Sequence, residues 1–264
     1  MRLGLITKPT EEGFSFARAN EMEFIEICCN SAADADTVIQ STEQILERSQ
    51  RTGIAVSSVG RWNHDLQKGG KIDQEAAAQY LTLMDSAVKL GARSFVCGVN
   101  YDESISLFKN YVNALDFLAM LTEHAKGKDI RVAIQNCDWN NFIVTPKQWE
   151  VVLGENPDLY LKFDPSHAYN RHDDYLAELS DYGERVAHFH VKGTTHAGKR
   201  RVDDPPAGMD DIAWGSVFSV LYARGYNGDL SIEPHSATWR GALGEAGVKF
   251  TRDFIRGFML GDAK

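Results

Sequence analysis

Eight short β-rich runs, separated by helical stretches from one end of the chain to the other, constrain this sequence more than any other feature. They are Arg2–Ile6, Phe24–Cys28, Ile54–Val59, Ser94–Val99, Arg131–Asn136, Leu159–Asp164, Val186–Val191 and Leu230–Glu233. Their spacing of roughly 20–40 residues suits βα units, in which each helix carries the chain back to start another parallel strand. The helices have recognisable ends. Thr10 caps a first helix to about Ala19. Ser31 to Gln50 carries Val38, Ile39, Ile45 and Leu46 at near-helical spacing and stops at Gly53. Asp73 caps a helix with Tyr80, Leu83, Met84, Ala87 and Leu90 on one face, ending at Gly91. Ser104 to Lys126 repeats the pattern, and Thr145-Pro146 is a helix start with proline in the first turn. Further helices run over Asp173 to Tyr182, Trp214 to Arg224 and Ala242 to Leu260. Eight strand–helix pairs predict an α/β protein, a closed (β/α)8 barrel, with residues 1–264 as one domain. The rival, an open doubly wound sheet, is weakened because no Gly-rich phosphate turn follows the first strand.

Composition narrows the function classes. A hydrophobic share of 43% supplies one large core, and a formal net charge of −9 argues against nucleic acid and against membrane surfaces, both of which want basic patches. No apolar window is long enough to span a bilayer, and MRLGLITKP lacks a leader-like apolar region, so the expected location is cytoplasmic. Cys28, Cys29, Cys97 and Cys137 show no CxxC and no disulfide framework, and read as buried free thiols. One irregular stretch stands out, Gly193 to Asp211, rich in Gly, Pro and charge. Its length and its place after a strand favour a functional loop.

In a parallel barrel the chemistry gathers at the carboxyl ends of the strands. Those ends here are unusually polar. They offer Glu26 on the second strand, Arg61, Trp62, Asn63 and His64 past the third, and Gln135 and Asn136 on the fifth. Asp164 and His167 close the sixth, His190 and Lys192 the seventh, Glu233 and His235 the eighth. Asp, His and Glu on three adjacent strand ends are the donor types of a divalent-metal site, and unpaired they would be costly to bury. His188 and His190 share a strand face. His190 sits about 7 Å nearer the mouth and is the expected ligand, whereas His188 is expected to be a hydrogen-bonded core residue. Glu26 suits a residue that orients a ligand or a substrate hydroxyl. Trp62 and Trp139 suit either sugar-stacking walls or apolar lids. Asn63, His64 and Asn136 can donate to substrate hydroxyls, although each also suits capping or turn chemistry. Lys199, Arg200 and Arg201 read first as a solvated charge run.

The motifs FDPSH, HFHVKG and SIEPHS, in that order and each on a strand end, resemble the xylose-isomerase-like superfamily of TIM barrels. The stretch PPAGMDDIAWGSVFSVLYARGYNGDLSIEP adds to the likeness. That group includes sugar-phosphate isomerase/epimerase homologues, ketose 3-epimerases, hydroxypyruvate isomerases, inosose isomerases and dehydratases, and endonuclease IV. The resemblance implies one divalent metal ion held by Asp164, His190 and Glu233. It implies Glu233 as a base and His167 as a substrate or acid/base group; Trp62, Asn63, His64, Asn136 and Lys192, from their places at strand ends, are the expected contacts to a carbohydrate. It also implies that homo-oligomers are common among relatives. The fifth-strand glutamate of the ketose epimerases is Gln135 here. An amide oxygen can reach a metal, but it is no base and carries no charge. Three expectations follow in order: a metal-dependent isomerase or epimerase working through an enediolate, a lyase that eliminates water from a keto-sugar or inosose, and an inert sugar-binding barrel or complex subunit. Endonuclease chemistry ranks low, since phosphate binding wants surface lysine and arginine that this acidic chain does not concentrate.

Overall fold

The computed structural model describes residues 1–261. Eight strands form a closed parallel barrel: β1 Arg2–Ile6, β2 Phe24–Cys29, β3 Ala55–Arg61, β4 Ser94–Cys97, β5 Arg131–Gln135, β6 Leu159–Phe163, β7 Val186–Val191 and β8 Asp229–Ile232. Each strand pairs with its neighbours in sequence, and β8 returns to pair with β1, so no edge is left open. The fold class predicted from the βα alternation is thus present.

Helices ring the barrel because each carries one apolar stripe that must be covered. The helix Gln74–Lys89 shows the pattern: Asp73 accepts from the amides of Glu75 and Ala76, and Tyr80, Leu83, Met84 and Ala87 are buried on one side. Most of the apolar core lies between these stripes and the outer face of the strands. A small separate apolar cluster joins Trp62, Val96 and Ala133. β1 carries Gly4, where a Cβ would lie 2.3–2.5 Å from the ring and carbonyl of Phe24 on β2, so only glycine permits that approach.

Three local expectations need correction. The single helix over Ser31 to Gln50 is two, Ala32–Gln40 and Thr42–Thr52, because Ser41 leaves the helix and turns its hydroxyl back onto the Thr37 carbonyl at 2.5 Å. The stretch Gly193 to Asp211 is not structureless: Thr195–Ala197 and Arg200–Asp203 pair as an antiparallel hairpin around Gly198, whose φ is +65°. A second hairpin, Gln67–Lys68 with Lys71–Ile72, follows β3. Strand ends also shift slightly. Arg61 is still in β3, whereas Asn136, Asp164 and Glu233 lie one residue past their strands.

Candidate active site

Asp164 leaves β6 as the cap of a short helix, Pro165–Asn170. Its Oδ1 accepts from the Ser166 amide at 2.9 Å, which turns Oδ2 toward the barrel mouth. Asn136, at the end of β5, fixes the same residue from the side. Its Nδ2 donates to the Asp164 carbonyl at 2.9 Å, and its Oδ1 accepts from the Asp164 amide at 3.0 Å. Both functions of its amide are thus engaged and the residue is fully buried, so Asn136 holds Asp164 in place. Of the two roles that the sequence offered Asn136, this geometry is the structural one.

On β7, His188 and His190 project to the same side and meet one carboxylate, Glu26 of β2. His188 Nε2 lies 2.8 Å from Glu26 Oε2, and His190 Nε2 lies 2.9–3.0 Å from its two oxygens. Burial opposes the charge of Glu26, but the two imidazoles hold its carboxyl well below the usual range. The grip on Nε2 orients the other nitrogen: His190 Nδ1 faces Glu233 Oε2 at 2.9 Å and Asp164 Oδ2 at 4.0 Å. Asp164, His190 and Glu233 therefore converge, with ligand atoms all within 4.8 Å of one another. A second trio, Glu26, His188 and His190, is the buried layer beneath. A third, Cys137, Asp138 and His167, lies at the cavity wall.

Two lysines enter the same cluster. Lys192 Nζ lies 3.2 Å from Asp164 Oδ2, 3.6 Å from Glu233 Oε2 and 3.2 Å from His167 Nε2. Lys162 Nζ lies 3.9 Å from Asp164 Oδ2 and 5.3 Å from the centre of the Trp62 ring. Lys162 is 1% exposed and was not legible as a site residue, since LYLKF reads as an apolar strand. The available signal was the lysine itself: a cation inside a barrel strand needs a partner. Chain irregularities accompany both buried charges, as the register shifts between Ile25 and Glu26 on β2 and between Leu161 and Lys162 on β6.

The electrostatics give each group a state. Burial works against the charge of Glu233, yet Lys192 and His190 hold it well below the ordinary carboxylate range. Asp164 is held low against burial by the ammonium groups of Lys192 and Lys162. Burial and the neighbouring Lys192 push His167 well down, so it is a neutral imidazole near pH 7. Burial would lower His190, but Glu26 and Glu233 raise it.

A cavity of about 780 Å³ opens over this cluster, lined by Trp62, Trp139, His167, Arg171, His190, Lys192 and Glu233 among others. Glu233 is its partly exposed carboxylate, at 19%. Two expected substrate contacts are not on its wall. Asn63 takes a left-handed turn with φ +48° and is exposed. His64 turns onto Arg61, Nδ1 to Nη2 at 2.5 Å, and packs edge-on against Tyr80. Gln135 is buried, with its Nε2 beside Gly98 and its Oε1 without a hydrogen-bond partner. The hairpin at Thr195–Asp203 joins the rim: Arg201 pairs with Asp204, which also meets His235 Nδ1 at 3.0 Å, and Asp203 accepts from Ser236 at 2.6 Å.

The chain matches the family described as the xylose isomerase-like TIM barrel over residues 14–256. It belongs to that family. Among solved structures of this architecture, a D-psicose 3-epimerase from Clostridium cellulolyticum H10 superposes with a TM-score of 0.80 at 15% identity, covering 98% of this chain and 99% of that one. The 3-keto-D-glucoside 4-epimerase YcjR from E. coli gives 0.78 at 14% identity, covering 97% and 99%. A D-tagatose 3-epimerase-like protein gives 0.78 at 15% identity, covering 98% and 97%. At these identities the likeness shows a shared fold. No curated protein matches the sequence itself. No helix among the described residues is long and apolar enough to cross a membrane.

The residues of this xylose isomerase-like barrel fit a divalent cation. Asp164 Oδ2 is buried without an aligned hydrogen-bond donor, and Glu233 and the Nδ1 of His190 face it. A ligating imidazole with its far nitrogen on a carboxylate is the usual support for such a ligand, and Glu26 provides it. The orphaned amide oxygen of Gln135 is a further buried acceptor in the lumen.

Proposed function

We propose that this chain is an isomerase or epimerase of a ketose, keto-sugar or related small polyol, acting through an enediolate, with residues 1–264 working as one domain. The observation that carries the reading is Glu233: a carboxylate held ionised, open to the cavity, beside the His190 imidazole and the Lys192 ammonium. Such a group can take a proton from carbon next to a carbonyl. Asp164, His190 and Glu233 would hold one divalent ion, with Gln135 as a weak further donor. When bound, that ion would supply positive charge to an oxygen that becomes negative as the carbon loses its proton. His167, neutral and 3.2 Å from Lys192, would accept a substrate hydroxyl or pass a proton. Trp62 and Trp139 would offer apolar faces to the ring or chain of a sugar. The epimerase and keto-glucoside epimerase neighbours support a carbohydrate as the substrate class.

Gln135 favours a second reading. Epimerisation wants a base on each face of one carbon, and an amide cannot be the second. A β-elimination of water from a keto-sugar or keto-inositol needs no second base: Glu233 can take the proton from carbon, and the carboxylic acid so formed can hand it to the departing hydroxyl.

The test is proton exchange. A panel of ketoses and keto-inositols is incubated with the native chain in D2O, and deuterium at the carbon beside the carbonyl is followed by NMR. Exchange by the native chain, reduced roughly 100-fold or more by Glu233→Gln, is expected. Epimer or isomer formation with exchange selects the first reading; loss of water selects the second. Equal exchange by native and variant would remove Glu233 from the chemistry.

A further inference from the structure

We infer that the Lys192 ammonium is a built-in occupant of the cation position, sharing Asp164 and Glu233 with a divalent ion and competing with it. The inference rests on the metal reading above and concerns what that metal meets. Lys192 follows His190 by two residues and lies one residue past the end of β7, and both side chains reach the barrel mouth. Its Nζ is placed between the two carboxylates, 3.2 Å from Asp164 Oδ2 and 3.6 Å from Glu233 Oε2, and the residue is 4% exposed. An ammonium so placed uses the same oxygens that a divalent ion needs.

The local charges balance without a metal. Asp164 and Glu233 face Lys192 and Lys162, and Glu26 is taken by its two histidines. A divalent ion added among the same groups meets Lys192 as a like charge at short range and low dielectric. A glutamate at position 135 would offset that excess, but glutamine does not. Loading the ion therefore requires the Lys192 side chain to swing out, and the open cavity above the cluster gives it room. In the unloaded chain the same ammonium supplies the positive pole next to Glu233.

The experiment is a calorimetric titration of manganese into the native chain, Lys192→Met and Lys192→Gln, with thermal melts to show that each is folded. Removing the ammonium should tighten manganese binding roughly tenfold or more. Lys162→Met, whose nitrogen reaches Asp164 at 3.9 Å and does not bridge the pair, should tighten it less. Unchanged or weaker binding in both folded Lys192 variants would overturn the competition while leaving the metal site standing. No binding by the native chain or any variant would overturn the metal reading, and the competition with it.

Discussion

Glu26 illustrates how much of the site is decided by one residue that touches no solvent. Its carboxylate sets the tautomer and tilt of His190 by holding Nε2, and so determines which nitrogen faces Asp164 and Glu233. Glu26→Gln keeps the shape but can offer only one acceptor oxygen to two imidazoles. Manganese affinity by calorimetry should fall roughly 10- to 100-fold in this variant, with the fold retained by circular dichroism. At this scale the sequence was informative where a polar residue ends an apolar run. Asp164, His190 and Glu233 stood out for that reason, and the structure brings them together. It was uninformative where the direction of a side chain depends on the backbone that carries it. Asn63 is turned out by a positive φ, His64 is drawn off by Arg61, and Asn136 is consumed by its own neighbour on the adjacent strand. Lys162 was hidden for the opposite reason: the residues beside it made its strand read as apolar.

Among the elements, the strands were legible and their partners followed from the βα alternation. The break at Ser41 and the hairpin after β7 were not, since a single serine and a few charged residues carry no periodicity. The closure between β1 and β8 has a side-chain lock. Arg2 grips Asp229 in a two-point contact, Nε to Oδ1 at 2.7 Å and Nη2 to Oδ2 at 2.6 Å, with the carboxylate 3% exposed. Arg2→Met leaves that carboxylate, among the described residues, with Arg93 at 3.8 Å as its ion partner, mostly in solvent. The variant should lose about 1–3 kcal/mol in denaturant unfolding, more than an exposed pair is worth. A loss within error would show that Asp229 is hydrated when its partner goes.

For the molecule as a whole, pH should act on stability through Glu178, a buried carboxyl whose partner Arg171 lines the cavity. Burial pushes its carboxyl up to about 7, against the pull of Arg171 at 3.3 Å. A folded-state value above the ordinary 4.5 means that the folded chain holds the proton more tightly than the unfolded one. The Glu178 contribution therefore falls as pH rises from about 4.5 to about 7, and is level beyond. Melting temperatures across that window should slope downward less steeply in Glu178→Gln than in the native chain; parallel slopes would place the titration elsewhere.

Closure of the barrel also has a consequence in time. β1 pairs with β2 at two positions but with β8 at four, across 227 residues of sequence. On a ribosome adding roughly 5–20 residues each second, β1 waits on the order of ten to forty seconds for its main partner. During that interval the β8-facing backbone groups of Arg2 and Gly4 form an open edge, while Leu3 can already bond Glu23 through both of its own. A nascent chain of this kind needs its first strand shielded until the last is made.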